Sequence, residues 1–228
     1  MGSCIGKSKR IKIATLLFGF IFINWVAFRL LVPKDGVLAL DVSHHNSKVS
    51  EHVKIFRPSL LIAKATEGVA FRDPKFDYHF KLAKENETYF GAYHFLSFDK
   101  DVKKQFDNYL KTIKFDFSTR KGYKINVRPI LDVENNPGKA KMGYTDLRRM
   151  VHEFGELCLK EFDCYPIIYC DEGYRICYFL TGFDQYLFWT RNTVTNPLFT
   201  SVLHQYKEDK ILNLDFNRLY DLTSILLP

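Results

Sequence analysis

The sequence predicts an α/β fold built on parallel strands, and three observations carry that prediction. Short apolar runs recur at 37–42, 60–68, 90–96 and 130–134, separated by amphipathic segments, which is the alternation of βα units. The runs end in polar or aromatic groups, and in parallel sheets and barrels the ligand sits at the carboxyl ends of the strands. Twice the ending is acidic: Asp41 closes the first run, and Asp132 and Glu134 close the fourth.

The amino terminus stands apart from this alternation. Lys7, Lys9, Arg10 and Lys12 precede an apolar run from Ile13 to Phe28, with Arg29 and then Leu30, Leu31 and Val32 before Pro33. That run is at the short end for a membrane-spanning helix, and a snorkelling Arg29 extends it to Val32. The expected organisation is a basic cytoplasmic segment over 1–12, one transmembrane signal-anchor helix over 13–32, and a folded domain over 35–228. Basic residues ahead of the run put that domain outside the cytoplasm, in the periplasm or at the cell surface. No small-x-small cleavage site follows the run, which favours a retained anchor over a removed signal peptide; removal would leave a secreted domain. Gly6 stands where a myristoylation signal asks for Ser or Thr.

Charge follows the same division. The first 34 residues carry six Lys or Arg and no acid, leaving 27 basic against 26 acidic residues for the rest. The net charge of +7 therefore belongs to the amino terminus, and the near-neutral domain gives no support to nucleic-acid binding.

Within the domain, Asp73-Pro74 opens a helix to about Glu85, with Phe76, Phe80 and Ala83 at helical spacing. A second helix runs from Asp101 to Ile113, and the polar, aromatic and basic stretch from Phe115 to Val127 is expected as a loop bordering the groove. Thr145-Asp146-Leu147 starts a helix to Phe162 that presents Leu147, Met150, Val151, Phe154 and Leu157 on one face. Tyr165 to Cys170 returns as a strand, Glu172 to Leu180 is helical, and Tyr186 to Arg191 and Val202 to Tyr206 are later strands. This is short of the eight helices of a complete barrel.

The acidic strand end has a chemical meaning. Side chains alternate across a strand, so Asp132 and Glu134 share a face. Two acids that close cannot both ionise at their free pKa values, and the coupling raises one into the range where it donates a proton near neutral pH. Cleavage of a glycosidic bond uses a general acid of that kind. Strand-end acids that merely face water are the plain alternative, and Asp41 weakens it by repeating the design.

The ordered set Asp41-Val42-Ser43-His44, Lys64-Ala65-Thr66-Glu67-Gly68, Gly91-Ala92-Tyr93-His94-Phe95, Leu131-Asp132-Val133-Glu134, Pro166-Ile167-Ile168-Tyr169 and Asp215-Phe216-Asn217 resembles glycoside hydrolase family 25, the muramidase-type lysozymes. The resemblance covers nearly everything from Val37 to Leu219. It implies a flattened, incomplete TIM-like (β/α) barrel. The implied reaction is hydrolysis of the β-1,4 bond between N-acetylmuramic acid and N-acetylglucosamine in peptidoglycan glycan strands, by a monomer with no cofactor and no metal. Glu134 falls on the family's general acid, Asp41 and Asp132 on its other acidic positions, and Asp215 on a fourth carboxylate of the same pocket. The pattern places substrate contacts at Tyr93, Tyr169 and Trp189, with Gln205 and Tyr206 as weaker candidates and His94 as a hydrogen-bonding pocket residue. Stereochemistry stays open. So do two other functions: a noncatalytic peptidoglycan-binding module, and a hydrolase of another N-acetylated glycan such as chitin. Common members carry an aromatic residue where this chain has His45-Asn46, and a Trp where it has His204, which alters the subsites and leaves the acids intact.

Other reactive side chains read as structural. His44, His45 and His94 lack a helix-based metal spacing. Glu67 suits a strand-end turn held by local bonds. Cys158, Cys164, Cys170 and Cys177 are expected as buried free thiols. Cys164 and Cys170 at opposite ends of one strand lie roughly 20 Å apart and cannot bridge.

Overall fold

The computed structural model describes residues 36–117, 120–134, 143–194 and 197–228, without the side chains of residues 115–117 and 120–121. The predicted membrane helix over 13–32 and the basic segment before it lie outside these residues; among the described residues, no helix is long and apolar enough to cross a membrane. One compact unit spans Asp35–Pro228.

Eight strands close into a barrel: β1 (Val37–Val42), β2 (Leu60–Glu67), β4 (Tyr89–Phe95), β7 (Ile130–Asp132), β8 (Ile167–Asp171), β9 (Leu187–Arg191), β10 (Leu203–Asp209) and β11 (Leu214–Leu219). Neighbours from β1 through β10 are parallel, whereas β11 runs antiparallel to both β10 and β1 and completes the ring. A short β3 (Phe71–Arg72) extends β2 as a hairpin. Among the described residues, the connections carry α1 (Val49–Phe56), α2 (Phe76–Glu85), α3 (Val102–Ile113), α4 (Tyr144–Phe162) and α5 (Glu172–Tyr178), and α6 (Leu222–Ile225) follows the last strand. The helical shortfall therefore falls on the β9–β11 side, where a hairpin joins β10 to β11.

Helix starts follow local chemistry. Asp101 Oδ1 accepts from the Lys104 N–H at 2.8 Å ahead of α3, and Asp171 Oδ1 accepts from the Tyr174 N–H at 2.8 Å ahead of α5, satisfying donors that the first turn leaves open. In α4 the buried face is Leu147, Met150, Val151, Phe154, Cys158 and Phe162, so Cys158 takes the inward place expected for Leu157. Cys164 and Cys170 are also buried, Cys177 is exposed, and all four are free thiols.

Three features differ from the sequence reading. Residues 114–117 and 120–123 pair as an antiparallel hairpin, β5 with β6, where a loop was expected. The segment after it runs beneath the amino ends of the strands, because Asn126 and Phe90 at the start of β4 exchange backbone and side-chain hydrogen bonds. α1 and β11 carry no strong sequence signal; α1 is bounded by Lys48 and Arg57 in left-handed conformations, without a side-chain cap.

Alternation along the strands divides the molecule into two layers. One phase, with Ala39, Leu60, Ile62, Ile130, Ile167, Leu203 and Leu219, fills the barrel interior. The other phase, including Leu38, Leu40, Leu61, Ala63 and Ile168, is equally buried and faces the helices. Strands covered on both sides read as continuous apolar runs, the signal that located them.

Candidate active site

The interior phase continues upward into a cavity of about 240 Å³ at the carboxyl ends of the strands. Two residues beyond Ala39 comes Asp41, beyond Ile130 comes Asp132 and then Glu134, beyond Ile167 comes Tyr169, and beyond Leu203 comes Gln205; each of these polar or aromatic residues lines the cavity. Tyr93 enters from β4, Trp189 and Arg191 from β9, Glu208 from β10 and Asp215 from β11. All four expected carboxylates thus meet in one cavity, together with Tyr93, Tyr169, Trp189 and Gln205.

His94 and Tyr206 are not among the lining residues, and alternation explains both corrections. With Tyr93 facing inward, His94 must face the helices. Its ring is fully buried, bonded through Nδ1 to Thr66 Oγ1 at 2.8 Å and through Nε2 to Gln105 Oε1 at 3.2 Å, and stacked on Phe154. Burial lowers its pKa to about 4, so it is a neutral core group. Tyr206 follows the inward Gln205, and its ring lies 5.7 Å from the guanidinium carbon of Arg218.

Sequence reasoning missed three residues. Asn217, fully buried, accepts from Trp189 Nε1 at 2.8 Å and donates through Nδ2 to Asp41 Oδ1 at 2.5 Å. It ties an aromatic wall to a carboxylate, and its place two residues after Asp215 was the available signal. Arg191 shares the phase of Trp189, and its Nη1 donates to Glu208 Oε1 at 2.8 Å. Glu208 was hidden from the pattern. Three steps separate it from Gln205, so simple alternation aims it outward; a bulge between Gln205 and Lys207 leaves Tyr206 out of the ladder and turns Glu208 inward, directly opposite Asp215.

The same register places Asp215 directly opposite Asp41. Glu208, Asp215 and Asp41 form a row of carboxylates across adjacent strands, an arrangement in which like charges repel. Burial and this repulsion together favour the protonated forms of Asp41 and Asp215. Burial pushes Asp41 well above the ordinary carboxylate range, the Asp215 charge adds to it, and the Asn217 hydrogen bond opposes it. Burial raises Asp215 to about 6, with Glu208 adding and Arg191 opposing. Asp132 is pushed well up by burial and then by Glu134, against the pull of Lys64. Glu134 is raised by burial as well, while the Arg191 charge and the Tyr169 hydroxyl pull it down. Burial divides the pair: the deeper Asp132 is pushed further toward its protonated form, while Glu134 lies within the opposing field of Arg191.

The remaining polar groups settle locally. Glu67 Oε2 accepts from Lys64 Nζ at 2.6 Å, a strand-end ion pair. His44 bonds Asp73 Oδ2 through both its backbone N–H, at 2.9 Å, and its ring Nδ1, at 2.8 Å. Asp132 Oδ1 is buried and makes no hydrogen bond within the protein. Among the described residues, no group of three or more His, Cys, Asp or Glu side chains is arranged to hold a metal ion.

A carboxylate-walled cavity at the carboxyl end of a closed barrel, with aromatic rings in the wall and acids held above their ordinary range, is suited to acid-assisted cleavage of a glycosidic bond. The family model for glycosyl hydrolases family 25 matches residues 40–213, and the chain belongs to that family. A structure of a family 25 glycosyl hydrolase from Bacillus anthracis superposes with a TM-score of 0.73 at 22% identity, covering 85% of this chain and 93% of the other. A bacterial lysozyme from Streptomyces coelicolor superposes with a TM-score of 0.72 at 22% identity, covering 85% and 96%. The uncharacterized protein YegX of Escherichia coli K12 is 30% identical over 173 residues, which make up 72% of this chain and 59% of YegX. The chain thus spans well under two thirds of the length of that relative.

Proposed function

We propose that this chain is an N-acetylmuramidase, hydrolysing the β-1,4 bond between N-acetylmuramic acid and N-acetylglucosamine in peptidoglycan. The observation that carries the reading is the convergence of Asp41, Asp132, Glu134 and Asp215 in one aromatic-walled cavity. Glu134 acts as general acid on the glycosidic oxygen. Burial raises its pKa, in the direction a general acid needs, and the Arg191 charge opposes that rise. Asp132, held neutral beside it, offers Oδ1 to a donor of the sugar ring or its acetamido group. Asp41, positioned by Asn217, and Asp215 face the side of the cavity where positive charge develops at the anomeric carbon. The rings of Tyr93, Tyr169 and Trp189 give apolar sugar faces a surface. The basic-then-apolar amino terminus supports a further element of the reading: residues 13–32 anchor the enzyme in a membrane, with the barrel on the side of the cell wall.

The test is a digest of purified peptidoglycan with the full chain, followed by borohydride reduction and mass spectrometry of the products. New reduced muramic acid ends are the expected outcome. Reduced glucosamine ends would place cleavage at the other linkage. A protein that pellets with the wall without making new ends is a binding module, and cleavage confined to chitin oligomers would replace the substrate.

A further inference from the structure

We propose that Arg191 and Glu208 are positioning residues of this active site, an ion pair at the rim of the carboxylate row that balances the charge of Asp215 and Glu134 in the same cavity. The inference rests on the hydrolase reading only for its consequence for rate.

Geometry comes first. Arg191 ends β9 and Glu208 lies on the neighbouring β10, joined to it at 2.8 Å. Glu208 reaches the cavity only because of the bulge at Tyr206, and bulges at barrel rims commonly re-aim a side chain beside a site. Once there, it extends the Asp215–Asp41 row by a third carboxylate. Among the described residues that line the cavity, Arg191 is the sole cation. An arrangement that first adds an acid to an acidic row and then sets one guanidinium against it is costly to build for stability alone. The two side chains are 40% and 39% exposed, and ion pairs at that exposure contribute little to stability.

The groups around the two target carboxyls come from every neighbouring strand. Asp41 stands on β1, Tyr93 on β4, Asp132 on β7, Tyr169 and Asp171 on β8, Arg191 on β9, and Gln205 and Glu208 on β10; Lys64 on β2 acts on Asp132. Within this set, Glu208 raises both Asp215 and Glu134, and Arg191 lowers both. The pair therefore acts on the same two groups with opposite signs. Losing one partner tips the balance, and losing both returns it toward the start.

Carbon-13 NMR titration of the carboxyl groups in the full chain, without substrate, tests this directly. Arg191→Met should move the Asp215 midpoint up by about one pH unit, and Glu208→Gln should move it down by about as much. The Arg191→Met/Glu208→Gln double variant should fall between them, and Arg191→Lys, which keeps a cation, should stay near wild type. The acidic limb of kcat/KM on peptidoglycan should follow the same order. Two single variants that leave the midpoint unmoved, or that both shift it in one direction, as loosened packing would, overturn the proposal. A chain that titrates as expected and makes no new ends on peptidoglycan keeps the charge-setting pair and loses the hydrolase reading. Cleavage with unmoved midpoints does the reverse.

Discussion

Inside the barrel, Ile130 and Asp132 are two residues apart on one strand and face the same way, as do Ala39 and Asp41. The lower member of each pair packs in a fully apolar layer, and the upper member sits in a layer crowded with carboxyls. The lower layer is sealed from water and the upper one only partly so; burial stabilises the first through the area it removes from solvent and burdens the second through the charge it desolvates. The same backbone alternation builds both, so side-chain chemistry alone decides which half stabilises the fold and which half is held ready for reaction. Truncation should therefore harm the lower layer, and neutralisation should relieve the upper one.

The largest effect expected from breaking this division is on rate. Glu134→Gln keeps the shape of the upper layer and removes the proposed proton donor, so turnover on peptidoglycan should fall by about 10²–10⁴-fold with the melting temperature unchanged or slightly raised; wild-type-like turnover would remove Glu134 from its proposed role. Next comes Ile167→Ala in the lower layer, which should cost about 2–5 kcal/mol in denaturant unfolding and leave the pH profile of the folded fraction where it was. Asn217→Ala cuts the bridge from Trp189 to Asp41 and should cost about 1–3 kcal/mol, because an indole N–H and a carboxylate are both left without their partner. Unlike Ile167→Ala, it should also raise the Asp41 midpoint.

The smallest effect has the opposite sign. A carboxyl whose pKa is higher folded than unfolded costs nothing while both states are protonated, and it destabilises progressively as pH rises from the unfolded to the folded value. For Asp215 that window runs from the ordinary 3.8 to about 6, and for Asp132 it extends upward from the same start. Asp132→Asn should therefore gain about 1 kcal/mol at pH 7, with the gain disappearing below about pH 4 and activity lost throughout. Equal melting temperatures for the two proteins at pH 7 would show that the upper layer carries no such burden.

How much of this was legible in the sequence depended on where periodicity was unbroken. Strands covered on both faces announced themselves as apolar runs, and the Asp132–Glu134 spacing placed two acids together because nothing interrupts the alternation there. Motif membership points His94 to the pocket, whereas the same rule, applied one residue after Tyr93, sends it to the helix side. Arg191 was readable by its phase with Trp189 and was passed over because a cation does not suggest itself in an acidic site. β11 left little trace, since Asp215 and Asn217 on its inner face are polar for chemical reasons and blunt the strand signal. Glu208 could not be found at all without coordinates, because a bulge is a property of pairing between strands.

That bulge also says where the chain tolerates a change in length. Across the ladder the register steps from Gln205 opposite Asn217 directly to Lys207 opposite Phe216, so a variant lacking Tyr206 would keep Lys207 opposite Phe216 and Glu208 opposite Asp215 in a regular sheet. Removing Lys207 instead hands its ladder place to Tyr206 and leaves the acids aligned only if the bulge is surrendered. A single-residue loss within β11 has no such reserve: it would shift Asp215 out of step with Asp41 and turn the row toward the helices. Along this lineage of sequences, gaps should collect at Tyr206 and be purged a few residues away.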